Sequence, residues 1–361
     1  METPTAIQTA PGIEHVADPG FEQRLIEGIR PIAEHFLAHA LHHLFNTGLY
    51  DLLEGGAQVP ITQLADEFEM DHDRLRGLLL YLANEGIVAV EGATVQLTPK
   101  GRGYGEFRAW YSLLIGGYAT TVAQIGPALH AGQPSCTRDG AQVGAGSCEI
   151  SRYDGMAMTD ALLSQAGLRC SELLDLGCGN ALYLIEFCRA MPHARAWGSE
   201  PDAGGYKEAL ERVADADLAD RIRLANRSAI EFLESPPADC NPDLIVFGYV
   251  LHEILGQDGE QAVVTLLKRV AARFPDINIV VIEVANEIQN PAVMRHGLAI
   301  NFWNPYYLIH YFTRQRLETQ AYWERLFAAA GLSVAGFTTT DPHVDSTGLE
   351  LGYLLRGPDH R

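Results

Sequence analysis

The chemistry-bearing residues of this chain fall into two sets. The first is His252-Glu253, at the end of the apolar run Pro242 to Val250, together with His310 in the aromatic stretch Asn301 to Phe312. Two imidazoles and a carboxylate can hold iron or another divalent metal on one face and leave positions open to a substrate. A single histidine among aromatics is ordinarily a hydrogen-bonded core residue, so His310 takes its weight from His252 and Glu253. His296, next to Arg295, competes for the same role. The second set is Gly177-Cys178-Gly179, which follows the apolar Glu172 to Leu176 and precedes the amphipathic Leu182 to Ala190. Strand, glycine turn and helix in that order open a doubly wound α/β domain. Small residues there let the backbone approach a ligand at the carboxyl end of the strand.

What the turn lacks narrows the ligand. The dinucleotide fingerprint Gly-x-Gly-x-x-Gly is broken by Asn180, Ala181 and Leu182, and Asp175 lies inside the strand end. The run Leu173 to Ala181 resembles the first motif of class I S-adenosylmethionine (SAM) methyltransferases. That resemblance implies SAM as cofactor, held around Asp175, Gly177 and Gly179. It implies also that Glu200, 23 residues past Gly177 at the end of His193 to Glu200, accepts both ribose hydroxyls. Asn226-Arg227-Ser228-Ala229 falls where many members carry Gly-Asp-Ala, the Asp contacting the adenine amino group. Here Ser228 stands in that place, beside Ala229.

The elements ahead of this domain form a pattern of their own. Phe21 to Leu53 has apolar residues at helical spacing, Ile32, Phe36, Ala40, Leu44 and Leu49 among them, and predicts one or two core-facing helices. Its His35, His39, His42 and His43 have no converging carboxylates and read as ordinary helix histidines. Ile61 to Phe68 and the capped Asp71 to Ala83 predict two helices. Glu85 to Val90 and Ala93 to Leu97 alternate about a turn as a hairpin. Helix, helix and hairpin make a winged-helix arrangement, which alone would suggest DNA. Arg74 and Arg76 are offset by Asp71 and Asp73, however, where a recognition helix faces phosphate with net positive charge. In front of a SAM domain the arrangement resembles the dimerisation domain of the plant-type O-methyltransferase superfamily, from about residue 25 onward. The implied fold is an α/β Rossmann-like methyltransferase domain preceded by a mostly helical winged-helix dimerisation domain, assembled as a homodimer. The expected divisions are a tail, 1–20, the dimerisation domain, 21–102, a helical connector lining the substrate site, 103–165, and the SAM domain, 166–361.

Composition narrows the partners. The formal charge of -20, from 46 Asp and Glu against 26 Lys and Arg, argues against nucleic acid, and no basic run is present. No stretch approaches the roughly 18 consecutive apolar residues of a membrane helix. Met1 to Gly20 lacks the apolar core of a signal peptide. Six cysteines without a Cys-x-x-Cys pair suit a reducing, cytoplasmic setting.

Within the superfamily the His252 position supplies the base that deprotonates a phenol, so a metal-free O-methyltransferase is one reading. A second resemblance, to the metal-dependent 2-oxo acid C-methyltransferases of nonribosomal-peptide biosynthesis, uses more residues. In that group a His-Asp pair follows the fourth strand and a His lies 13 residues before a Trp, as His310 does before Trp323. Arg138-Asp139 and Glu149-Ile150-Ser151 match at ungapped spacing, while Glu253 is one methylene longer than the usual Asp. The resemblance implies methylation of C3 of a 2-oxo acid, with iron or zinc held by His252, Glu253 and His310. Arg138 would grip the substrate carboxylate with its planar fork. The base is open among Tyr153, Asp154, a metal-bound hydroxide and His252. Ser147 to Leu162 looks like the same segment of 2-ketoarginine methyltransferases, which points to 5-guanidino-2-oxopentanoate. A third class, a winged-helix regulator that only senses SAM, would bind DNA instead.

Overall fold

The computed structural model describes residues 19–358, and the chain divides into two compact units, one ending at Glu106 and the other beginning at Phe107. The first unit is mostly helical. Helices Phe21–Asn46 and Leu49–Glu54 are followed by strand β1 (Val59–Pro60) and helices Ile61–Glu67 and His72–Asn84. Strands β2 (Val88–Glu91) and β3 (Thr94–Leu97) and helix Pro99–Gly105 complete it. The Asp71 carboxylate accepts from the Arg74 amide at 2.9 Å and starts its helix, which buries Leu75, Leu79 and Leu82 along one face. Gly92, at φ 62°, turns the hairpin, and β1 adds to β3 as an antiparallel third strand. The expectation of a core-facing first helix holds for Ala40, Leu44 and Leu49 and fails for Ile32 and Phe36, which are 57% and 61% exposed. They belong to an apolar stripe along the front half of the helix that nothing in this unit covers.

The second unit is built on a seven-stranded sheet of order β6-β5-β4-β7-β8-β10-β9. Its strands are β4 (Glu172–Leu176), β5 (Arg195–Ser199), β6 (Ile222–Ala225), β7 (Leu244–Gly248), β8 (Asn278–Val284), β9 (Ser333–Thr339) and β10 (Glu350–Arg356). The first five in that order run parallel, and β10 is antiparallel to both β8 and β9. Central parallel strands are covered on both faces and read as continuous apolar runs. Side chains then alternate between two cores. Leu174, Leu176, Ile245, Phe247, Ile279 and Val281 enter one; Leu173, Leu244, Val246, Val280 and Ile282 enter the other. β4 pairs with β5 on one side and β7 on the other, so the strand order reverses beside the glycine turn, the place where such sheets bind ligands.

The segment expected as a connector, 103–165, begins in the last helix of the first unit, and from Phe107 onward it belongs to the second. Arg108–Tyr111, Ala119–Ala128, Gly140–Ile150 and Gly155–Gln165 are helical, and Leu113, Tyr118 and Ile150 share a small core with Ile309. Cys136 to Asp154, polar and rich in glycine, contains the helix Gly140–Ile150. Asp139 caps it by accepting from the Gln142 amide at 3.1 Å. Among the described residues no helix is long and apolar enough to cross a membrane.

Candidate active site

The turn after β4 is shaped by backbone that side chains would obstruct. Gly177 sits at φ 100°, and a Cβ there would lie 2.6 Å from Val250 Cγ2; at Gly179, φ 52°, it would lie 2.8 Å from Cys148 Sγ. Ala181 also takes a left-handed conformation, φ 62°, at the start of helix Leu182–Ala190. Glu200, just past β5, accepts from the Gly179 amide at 2.9 Å and the Asp202 amide at 2.8 Å, so one carboxylate ties the two strand ends together. Asp175 is buried behind the turn. Burial and then the charge of Glu200 push its carboxyl up to about 7. A cavity of about 530 Å³ opens here, within the range of small-molecule and cofactor sites. Asp175, Gly177, Gly179, Glu200, Ser228 and Ala229 all line it. The Ser228 hydroxyl works as the N-cap of helix Ala229–Glu234 in a reciprocal box with Glu231.

Arg138 and Glu253 line the same cavity, joined by an ion pair of 2.8 Å from Nη2 to Oε1. Gln315 donates to the same Glu253 oxygen at 3.2 Å. His252 and Glu253 lie in the first turn of helix Leu251–Asp258, which follows β7 through Tyr249, a strained residue at φ 58°. Glu283, fully buried in β8, fixes His252 twice: Oε1 accepts its amide at 3.0 Å and Oε2 holds ring Nδ1 at 2.9 Å. Burial disfavours charging of this imidazole, but the Glu283 carboxylate outweighs it and holds the ring above its ordinary range. His310, on helix Asn304–Phe312, comes to a ring-centroid distance of 5.4 Å from His252. Its Nδ1 is held by the Tyr306 carbonyl at 2.7 Å, while its Nε2 is buried without a hydrogen-bond partner. Burial, and next the neighbouring His252, push it well below the ordinary range. His296 is engaged elsewhere, with Ser346 at 3.0 Å.

The remaining candidates separate. Tyr153 is 40% exposed, packs on Trp110 at 5.6 Å between centroids and lines neither cavity of this site. Asp154 is buried, caps helix Gly155–Gln165 through the Gly155 amide, and hydrogen-bonds Glu350. Burial raises its carboxyl to about 6 and, with Asp154 beside it, raises Glu350 well above the usual range. Sequence reading missed Glu283, Glu350 and Gln315. The two glutamates carried a visible signal, since each is a lone carboxylate in a strand that is otherwise apolar: Ile279 to Val284 and Leu349 to Leu355. Tyr118, in the segment expected to line the substrate site, has its hydroxyl 3.5 Å from Arg138 and 3.1 Å from Gln315.

No protein-family model matches the chain. A 2-ketoarginine methyltransferase of Streptomyces arginensis is 40% identical over 342 residues, covering 94% of this chain and 97% of that protein. The methyltransferase ungE' of Aspergillus campestris is 24% identical over 314 residues, or 83% of this chain and 90% of that one. Human N-acetylserotonin methyltransferase, solved in complex with SAM, superposes with a TM-score of 0.64 at 14% identity, over 96% of this chain and 99% of that chain. The N,N-8-amino-8-demethyl-D-riboflavin dimethyltransferase of Streptomyces davawensis gives 0.61 at 17%, over 93% and 99%. At such identities the two structures speak for the fold, and the Streptomyces arginensis relative speaks for the family. The chain therefore belongs to the family of the 2-ketoarginine methyltransferase, and it carries the fold of the two solved SAM-dependent methyltransferases.

Proposed function

We propose that the protein methylates C3 of a 2-oxo acid, with 5-guanidino-2-oxopentanoate as its substrate. The observation that carries this reading is the meeting of two buried imidazoles, His252 and His310, behind the Arg138–Glu253 pair that lines the cavity, with Gln315 reaching both His252 and Glu253. The substrate follows from the relative's name and the length of the match. SAM would occupy the cavity between Gly177, Glu200 and Ser228, with the methyl group toward Glu253. Loss of a C3 proton gives an enolate, and its carbon attacks the sulfonium methyl. The carbon–sulfur bond breaks to leave S-adenosylhomocysteine and a 3-methyl-2-oxo acid. Alignment of the two reactants is the main demand of such a displacement.

The donor set fits a divalent ion such as iron or zinc. Metal-bound histidines are characteristically held through their other nitrogen by a carboxylate or carbonyl. His252 is so held by Glu283 and His310 by Tyr306, and His310 Nε2 is a buried nitrogen with no other occupation. Glu253 would complete the set, although both of its contacts, to Arg138 and Gln315, are made by Oε1. Among the described residues no three His, Cys, Asp or Glu side chains already stand in a metal-binding arrangement. A bound ion would supply Lewis acidity to the keto oxygen and ease loss of the C3 proton. Arg138 orients the substrate carboxylate with the face of its guanidinium not engaged by Glu253.

The exposed apolar stripe of the first helix supports a homodimer, and the winged-helix reading of the first unit supports the same role. The deciding experiment is a panel of 2-oxo acids and small phenols with SAM, products read by mass. A gain of one methyl on the 2-oxo acid is expected, abolished by chelation and by His310→Ala. Methylation of a phenol, lost in His252→Ala and mild in His310→Ala, would replace this reading with O-methylation by a histidine base, for which the His252–Glu283 pair is the supporting contact.

A further inference from the structure

Asp154 and Glu350 pose a problem that fold stability does not solve. They are 4% and 5% exposed and hydrogen-bond each other, yet no Lys or Arg among the described residues pairs with either. Burying two carboxyl groups together is costly unless something compensates. Asp154 has a structural task as a helix cap. Glu350 has none: it opens β10 opposite Val284, where an apolar residue would pack more cheaply, and instead it takes hydroxyl hydrogen bonds from Tyr249, at 3.0 Å, and from Thr340.

The pair lines a small cavity of about 30 Å³, walled by Tyr249, Phe302, Trp303 and Tyr306. By the usual measure that is room for about two waters, which a planar end group would displace. Aromatic rings and two carboxyl groups lining one cavity are the surroundings that hold an alkylguanidinium, through cation–π contact and charge-assisted forked hydrogen bonds. A second sign of a ligand lies across one wall. The Tyr306 ring lies tilted against that of His310 with centroids 4.0 Å apart, and the Nε2 of His310 is buried without a hydrogen-bond partner. Tyr249 and Ser147 line both this cavity and the larger one, so a substrate reaching from one to the other passes between residues already in place.

We propose that Asp154 and Glu350 are the specificity-determining pair that receives the cationic end of the substrate's side chain, an alkylguanidinium. This rests on the 2-oxo acid reading for the head group and reassigns Asp154 from candidate base to anchor. In Glu350→Gln, which keeps the volume, the preference for 5-guanidino-2-oxopentanoate over the uncharged 2-oxohexanoate is expected to fall about 10- to 100-fold, mainly through KM. Binding of S-adenosylhomocysteine by calorimetry checks that the variant is folded. In parallel, calorimetry with propylguanidinium on the protein saturated with S-adenosylhomocysteine should show binding to wild type that Glu350→Gln loses. An unchanged preference, with 2-oxo acids still methylated, overturns the anchor and leaves the reaction standing. Glu350-dependent binding of propylguanidinium without turnover of any 2-oxo acid overturns the reaction and leaves the anchor. If wild type neither binds the cation nor prefers the guanidino substrate, the anchor is wrong whatever the reaction.

Discussion

His252 and His310 lie 58 residues apart in sequence and meet in space, and both rings are held by residues behind them rather than by each other. Glu283 is the plainest case, because it satisfies two donors of His252 with two oxygens. Glu283→Gln leaves one acceptor for those two donors, so a loss of about 1–3 kcal/mol in urea denaturation is expected, with catalytic activity down roughly 10- to 100-fold. An unaltered denaturation midpoint would show that the pair does not hold the helix start. Asp175 gives a pH prediction. Its folded carboxyl, at about 7, lies above the ordinary value near 3.9, so the folded chain binds the proton more tightly than the unfolded one. Its contribution is therefore lost as pH rises from about 4 through about 7. Asp175→Asn should flatten the fall of thermal stability across that window in cofactor-free protein. SAM, a cation at its sulfonium, should favour the ionised form, so binding near pH 7 releases a proton, which calorimetry in buffers of different ionisation enthalpy reads directly. The nearness of His252 to His310 was legible because their residue types are rare together in this chain; Glu283 and Glu350 were legible only as anomalies, since their partners arrive from strands and helices distant in sequence.

At the scale of elements, the glycine turn was legible in full because its backbone has few alternatives. Gly177→Ala meets both obstacles at once: a left-handed conformation costing an L-residue about 1–2 kcal/mol, and a methyl 2.6 Å from Val250. SAM affinity by calorimetry should fall at least about tenfold, with 2-oxo acid selectivity unchanged, since that is decided elsewhere. A variant that binds SAM normally would mean the turn is adaptable and its glycines incidental. Helix Gly140–Ile150 went the other way. Its three glycines, Gly140, Gly144 and Gly146, lower helix propensity and mark the stretch as a loop. Packing overrides that preference: a Cβ on Gly146 would lie 2.5 Å from the Leu113 amide, and one on Gly117 would lie 2.5 Å from Val143. Here glycine serves close approach between helices, information that appears only when both partners are known.

For the whole molecule, the first helix states the remaining demand. Phe21, Leu25, Ile26, Ile29, Ile32 and Phe36 are between 45% and 61% exposed along it; periodicity marks this apolar face and assigns it to the core, but the unit's own core does not cover it. Half-burying a large apolar side chain contributes about 1 kcal/mol, so six from each of two chains yield roughly 12 kcal/mol, comparable to the 4–15 kcal/mol that association costs. A pair of stripes is thus enough to begin a dimer and too little to make it indifferent to other forces. Two chains of formal charge -20 repel, and salt screens that repulsion over a distance of about 10 Å at 0.1 M. Sedimentation at micromolar concentration should therefore show a particle of twice 39.5 kDa whose dissociation is suppressed, not promoted, by added salt. Phe36→Glu puts a like charge into the seam and should yield monomer. A 39.5 kDa species at every salt concentration would mean that the stripe has another partner, because an apolar face of this length left to water would be a standing cost to the protein.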